Sequence, residues 1–266
     1  MEQGQQGSAE HVEYVLRLGD NALVLGQRLA EWCGHGPVLE EDIALANIAL
    51  DLVGQARLLL GHAGRLEARG RGEDELAFLR EPPEFRNATL LELPSSGVAS
   101  AGAATGDYAI TIARNLVFSA HQCELWRALS TSTDAELAAI AAKSLKEARY
   151  HLRHAADWTI RLGDGTDESH ARMQRALDAL WPYTHELFET DAVEAAVARH
   201  GIGVESASLL AGWLEAVRPV VAEATLRLPA DNAFRSTGKL GRHSEHLGYL
   251  LAELQSFHRR YPGATW

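Results

Sequence analysis

Apolar residues recur along most of this chain at three- and four-residue intervals, the period of a helix with one buried face. From about His11 to Gly34 the stripe Val15, Gly19, Ala22, Gly26, Leu29 and Cys33 predicts one helix whose small residues let a neighbour approach closely. Gly34-His35-Gly36-Pro37 ends it, because glycine suits a left-handed cap and proline cannot continue a helix. A second helix is expected from about Leu39 to Glu67, acidic at its start (Glu40, Glu41, Asp42) and basic toward its end (Arg57, Arg65), as the helix dipole favours. Its buried face is expected at Ile43, Asn47, Leu50, Gly54 and Leu58, with Asp51 on or beside that face.

Between Arg69 and Gly106 the pattern fails, leaving a short helical piece around Glu73–Arg80 and then the breakers Pro82, Pro83 and Pro94. Ser95 to Gly106 is almost entirely Gly, Ala and Ser. The helical period resumes over about Tyr108–Ser130 and Asp134–Leu162, with Asp134 as N-cap. Further helices follow around Ser169–Phe188, Ala192–His200, Glu205–Leu226 and His243–Tyr261, with Pro182 and Pro219 kinking or dividing them. No fixed-period repeat, alternating strand pattern or glycine-rich phosphate loop is present. The expected fold is therefore all-α. Four long helices in two pairs joined by a long crossover make a ferritin-like four-helix bundle with additional C-terminal helices. Residues 1–266 are read as a single domain, with a flexible N-terminus over 1–10 and a flexible crossover over 95–106. A linker between two domains is the alternative, disfavoured because a lone helix pair leaves its apolar faces without a core.

Composition narrows the function classes. A formal charge of -11 argues against nucleic-acid binding, which needs cationic surface. The polar start Met1-Glu2-Gln3-Gly4 has no secretory pattern, and no unbroken run of about 18 apolar residues occurs, so a cytoplasmic protein with no membrane span is expected. Cys33 and Cys123 are too few for a disulfide framework and read as small apolar fillers of the core. Arg57, Arg65, Arg69 and Arg71 read as a solvated helix end, or else a face for an acidic partner or a CoA-type substrate.

Carboxylates on inward helix faces must bind metal, pair with a cation or stay protonated. Candidates are Asp20 or Glu31, Asp51, His121 and Glu124, and Glu147. A di-iron bundle uses one Glu from each of two helices and a Glu-x-x-His pair from each of the other two, because i and i+3 share a face. The nearest counterparts here are Asp51-Leu52-Val53-Gly54 and Glu147-Ala148-Arg149-Tyr150, with glycine and tyrosine where histidines belong. An opposing arrangement would take His121, Glu124, Glu147 and His151 as ligands. The simpler reading pairs Glu147 with His151, Lys143 or a neighbouring arginine. His243, Glu245 and His246 lie too close together at a helix start to converge on a metal, and His243 or Ser244 reads as a cap.

The segments Leu16–Asn21, Leu29–His35, Asp51–Arg57, Lys146–Leu152 and Gly241–Gly248 together resemble the C-type subunits of ring-1,2-phenylacetyl-CoA epoxidases, from about Tyr14 to Trp266. The resemblance implies a bacterial multicomponent oxygenase of aerobic phenylacetate degradation. Its catalytic A-type subunit holds the di-iron centre, and a reductase with flavin and an iron-sulfur cluster draws electrons from NADPH. Oxygen is then inserted across the aromatic ring of phenylacetyl-CoA. The C-type subunit shares the ferritin-like fold, lacks the iron ligands, and pairs with and stabilises the catalytic subunit alongside other small epoxidase subunits. No catalytic or cofactor-binding residue is thus expected here, and no metal ligand. The alternatives are a metal-dependent oxidoreductase in its own right and a stand-alone helical scaffold.

Overall fold

A computed structural model describes residues 7–96 and 107–264. Its α-helices are α1 (Ala9–Ala30), α2 (Leu39–Glu67), α3 (Glu73–Phe78), α4 (Thr89–Glu92), α5 (Tyr108–Leu129), α6 (Ala135–Gly163), α7 (Asp167–Leu180), α8 (Ala192–Arg199), α9 (Leu210–Glu223) and α10 (Glu245–Arg260). No strand is present among the described residues. The chain divides into two units, the first formed by Met1–Leu93 with Thr237–Trp266 and the second by Pro94–Ser236.

The first unit is built on the hairpin of α1 and α2, and the glycines of α1 set its closeness. A Cβ on Gly19 would lie 2.8 Å from Leu60 Cδ2, and one on Gly26 would lie 3.3 Å from Val53 Cγ2. Larger residues there would push α2 away. Ser8 caps α1 by accepting the His11 N–H at 3.2 Å, so the helix begins before His11. The Gly7 N–H donates to the Leu66 carbonyl at 3.1 Å. Of the N-terminal stretch expected to be flexible, residues 7–10 are thus held; residues 1–6 lie outside the described ones. The helix stops at Ala30, short of the expected Gly34, and residues 31–35 form turns. Cys33 is exposed, which corrects its reading as core: past the last helical turn the three-to-four spacing no longer keeps a residue on the buried face.

The bounds of α2 are those expected, but its inward face is the opposite one. Leu45, Ile48, Leu52, Ala56 and Leu59 are buried, whereas Ile43, Asn47, Leu50 and Leu58 are exposed and Gly54 is half-buried. The helix carries two apolar stripes, so periodicity alone offers two faces; the one that fills the space over Gly19 and Gly26 is turned inward. By length and composition α2 could cross a membrane, yet 44% of its apolar window is buried within this protein. The region after α2 holds more structure than the single helical piece expected: a 3₁₀ turn at Pro82–Glu84 and the short α4 follow α3. The helix α10 packs against α1, α3 and α4 and completes this unit.

The second unit is organised around α5, of whose 22 residues 18 are buried. The helix α6 forms a hairpin with α5, and α7 and α9 also pack on α5. Asp134 caps α6 by accepting the Glu136 and Leu137 N–H groups at 3.0 Å, as expected from the sequence. The helix expected over Ser169–Phe188 is divided: α7 ends at Leu180 and a 3₁₀ helix runs Trp181–Phe188, because Pro182 has no N–H to extend the α-helix. Pro219 stays inside α9. Trp181, Phe188 and Trp213 form an aromatic core with ring centroids 4.9 to 5.2 Å apart, and the Trp213 indole donates to the Val117 carbonyl at 2.8 Å. Most of the Gly/Ala/Ser-rich segment, residues 97–106, lies outside the described residues. Its ends meet, with the Asp107 N–H donating to the Ser95 carbonyl at 2.8 Å.

Candidate functional site

A carboxylate taken out of water needs a cation, and in the first unit each deeply buried acidic candidate has one. Asp20, on α1, is fully buried. Two nitrogens of the Arg80 guanidinium donate to its two oxygens, and the Arg86 N–H donates to it at 2.8 Å. Arg80 also lies over the Phe85 ring at 4.2 Å and donates to the Glu84 carbonyl at 3.1 Å. Glu31 reaches outward to Arg28 at 2.6 Å. The partner Arg80 was legible only as a charge ending a short apolar run, Leu76-Ala77-Phe78-Leu79.

A second buried carboxylate, Glu92 on α4, gave no signal in the sequence pattern. It is fully buried and accepts from Asn87 Nδ2 at 2.9 Å and from the Ser244 N–H at 2.5 Å, with His243 Nδ1 at 2.7 Å. The other ring nitrogen of His243 lies 3.0 Å from the Phe85 carbonyl. Acceptors at both nitrogens suit a doubly protonated imidazole. Ser244 takes the N-cap position of α10, as one of the two residues expected there, but without a side-chain capping bond; its own N–H is held by Glu92. Arg28 donates to the Glu92 carbonyl at 2.6 and 3.0 Å and to the His246 carbonyl at 3.2 Å, tying α1, α4 and α10 together. His243 thus takes a structural role at the start of α10, and His246 contributes its backbone carbonyl.

The degenerate ligand positions are different in kind. On α2, Asp51 is half-buried, and a Cβ built on Gly54 would meet nothing within 4 Å. Gly54 therefore answers no packing demand; at this position the helix has no side chain to offer a ligand. On α6, Glu147 is paired with Lys143 at 3.4 Å, one of the partners expected for it. Tyr150 is 45% exposed, with the Arg153 guanidinium 5.5 Å from its ring centre. A cation held against the phenol face is opposed to binding a second cation at its oxygen. Two carboxylates, one phenol and no imidazole do not fit the donor set of a di-iron bundle centre.

The alternative ligands also have other company. His121 is buried between Phe118 and Phe188, at ring distances of 6.2 and 5.5 Å. Glu124 pairs with Arg127 at 2.5 Å and lies so close to α9 that a Cβ on Gly212 would sit 2.6 Å from its carboxylate. His151 is buried on the α6 face that also carries Ala148 and Ala155, with its ring 6.3 Å from Tyr150. Among the described residues, no three of His121, Glu124, Glu147 and His151 bring their ligating atoms within 4.8 Å of one another. Cys123, on the same helix as His121, is buried, and desolvation pushes its thiol up to about 11.

The first unit also carries a groove of about 280 Å³ between α2 and α3. Leu23, Ala56, Leu60, Ala77 and Phe78 give it an apolar lining, with Arg57, Glu73 and Asp74 also lining it. Arg57 and Glu73 are 3.4 Å apart. Nothing in the sequence pattern pointed to it, because α3 is too short to show a face.

The chain is an all-α helical protein in which the pairs Asp51/Gly54 and Glu147/Tyr150 contain no histidine. Its whole length, residues 1–266, matches the family described as phenylacetic acid catabolic protein, and the chain belongs to that family. The fold is thus the all-α, ferritin-like one expected. The chain is 49% identical over 253 residues to the C-type subunit of the 1,2-phenylacetyl-CoA epoxidase of Escherichia coli (strain K12). That match covers 95% of this chain and 98% of the relative.

Proposed function

We propose that this chain is the C-type subunit of a phenylacetyl-CoA epoxidase, a non-catalytic partner that pairs with the catalytic di-iron subunit and holds it in working form. The observation that carries this reading is the conjunction of near-full-length similarity to a C-type epoxidase subunit with the pairs Asp51/Gly54 and Glu147/Tyr150, neither of which contains a histidine. Epoxidation needs an activated oxygen species, and neither the Asp51/Gly54 nor the Glu147/Tyr150 pair supplies the histidine that a di-iron centre uses; that chemistry falls to the partner, fed with electrons from NADPH through a flavin and iron-sulfur reductase. The role left to this chain is mechanical. Its two fully buried first-unit carboxylates, Asp20 and Glu92, are paired with Arg80 and His243. We place it in the cytoplasm, where CoA thioesters and NADPH are found.

Iron per chain tests the reading. The purified protein, incubated anaerobically with ferrous iron and desalted, is expected to retain close to none. About two irons per chain would make it an oxidoreductase in its own right, with His121, Glu124, Glu147 and His151 as the residues to mutate first.

A further inference from the structure

The helix α10 rejoins the first unit after the residues of the second, Pro94–Ser236, and its two ends are held by different chemistry. At its far end Gln255 donates to the Ala77 and Arg80 carbonyls at 3.2 and 3.0 Å. Arg259 donates there to the Phe78 and Arg80 carbonyls at 3.1 Å and to Glu81 at 2.9 Å. Amide and guanidinium donors keep their protons across the ordinary pH range. At its near end the charged link is His243 on Glu92, and an imidazole gives up its second proton within that range. Leu247, Leu250 and Leu251 are buried between the two ends.

The geometry at the near end requires that proton. Glu92 takes Asn87 Nδ2 and His243 Nδ1 on one oxygen and the Ser244 N–H on the other, and a carboxylate that only accepts is ionised. The His243 side chain, 5% exposed, meets this carboxylate at 2.7 Å and the Phe85 carbonyl at 3.0 Å through its two nitrogens. A neutral ring has one N–H. Losing the proton therefore sets a lone pair against an acceptor and leaves a carboxylate buried without its counter-charge. The neighbouring cations have carboxylates of their own: Arg28 pairs with Glu31, Arg80 with Asp20, and Arg86 with Glu13. Arg28 reaches Glu92 through its backbone carbonyl, and Arg86 also donates to the Phe85 carbonyl at 2.9 Å. On the segment of His243 itself the charged or titratable side chains are Lys239, Arg242, Glu245 and His246. We propose that the His243 proton is a pH-sensitive latch, closing the start of α10 onto α4 while it is present and releasing it when it leaves. The contacts of Gln255 and Arg259 do not depend on it. An imidazole that gains a carboxylate partner on folding contributes stability that is complete below the unfolded pKa, about 6.5, and is lost as pH rises through the folded one.

The test is hydrogen–deuterium exchange of the full chain, read by mass spectrometry from pH 6 to pH 9 with exchange times scaled to the intrinsic rate at each pH. Amides of residues 247–251 are expected to lose about tenfold or more of their protection as the pH rises, while those of the buried α5 keep theirs. In His243→Gln, whose side chain does not titrate, the step should vanish. Where that variant fails to fold, Glu92→Gln takes its place: without the carboxylate charge the step should move to lower pH. Unchanged protection of residues 247–251 in the wild type would overturn the proposal. So would an equal loss in α5, which would mean general alkaline loosening, or a step that keeps its wild-type position in His243→Gln or Glu92→Gln.

Discussion

The two units treat their apolar residues differently. Of fourteen large hydrophobic side chains exposed among the described residues, eleven belong to the first unit and only Tyr150, Leu210 and Phe234 to the second. The central helices show the same contrast: α5 is buried on every side, while α2 buries 13 of its 29 residues and offers an apolar face to solvent. The difference lies in coverage: α5 is enclosed around its whole circumference, α2 along one face. The buried charges of the first unit, Asp20 with Arg80 and Glu92 with His243, tie α1, the segment after α3, α4 and the start of α10 together.

The largest expected effect lies in the first unit's charge network. Asp20→Ala leaves the Arg80 guanidinium buried without its counter-charge and should cost about 3–5 kcal/mol in chemical denaturation. A loss below about 1 kcal/mol would mean that Arg80 finds water on this side and that the unit is less closed than its burial implies.

Why Asp20 and not Glu92 was legible beforehand is instructive. Asp20 sits in a regular α1, where the period places it inward; Glu92 sits in a four-residue helix between proline-rich turns, where no period exists to read. Helix bounds were readable wherever caps and breakers mark them, as at Asp134 and at Leu39–Glu67. The face of α2 was not, because Leu45/Leu52/Leu59 and Ile43/Leu50 are equally good stripes, and the choice depends on the glycines of another helix. That Gly54 and Tyr150 stand three residues after Asp51 and Glu147 was plain from the sequence alone. The cations that hold the acidic side chains were not, since Arg80 and His243 come from segments 60 and 151 residues away from their partners.

The two stripes of α2 give a sharper comparison. Leu52→Ala, at a position 3% exposed, should cost about 2–5 kcal/mol, and Leu50→Ala, 68% exposed, less than about 0.5 kcal/mol in the isolated chain. Equal losses would show that the outer stripe is covered in solution. The smallest effect concerns the cysteines. At pH 8 Cys33 should react with a thiol reagent while Cys123, whose thiol is held up to about 11 by burial, stays protonated and protected. One label on the native chain and two after denaturation is the expected count; two on the native chain would contradict the closed α5 hairpin.

The most direct measurement for the central claim is turnover per assembled complex in an epoxidase reconstituted with Asp51→Asn and Glu147→Gln, with assembly measured in the same samples. If this chain supports chemistry performed elsewhere, complex yield or stability changes and turnover per complex stays at the wild-type value. A proportional fall in turnover with assembly intact would place these carboxylates in the reaction and contradict the account.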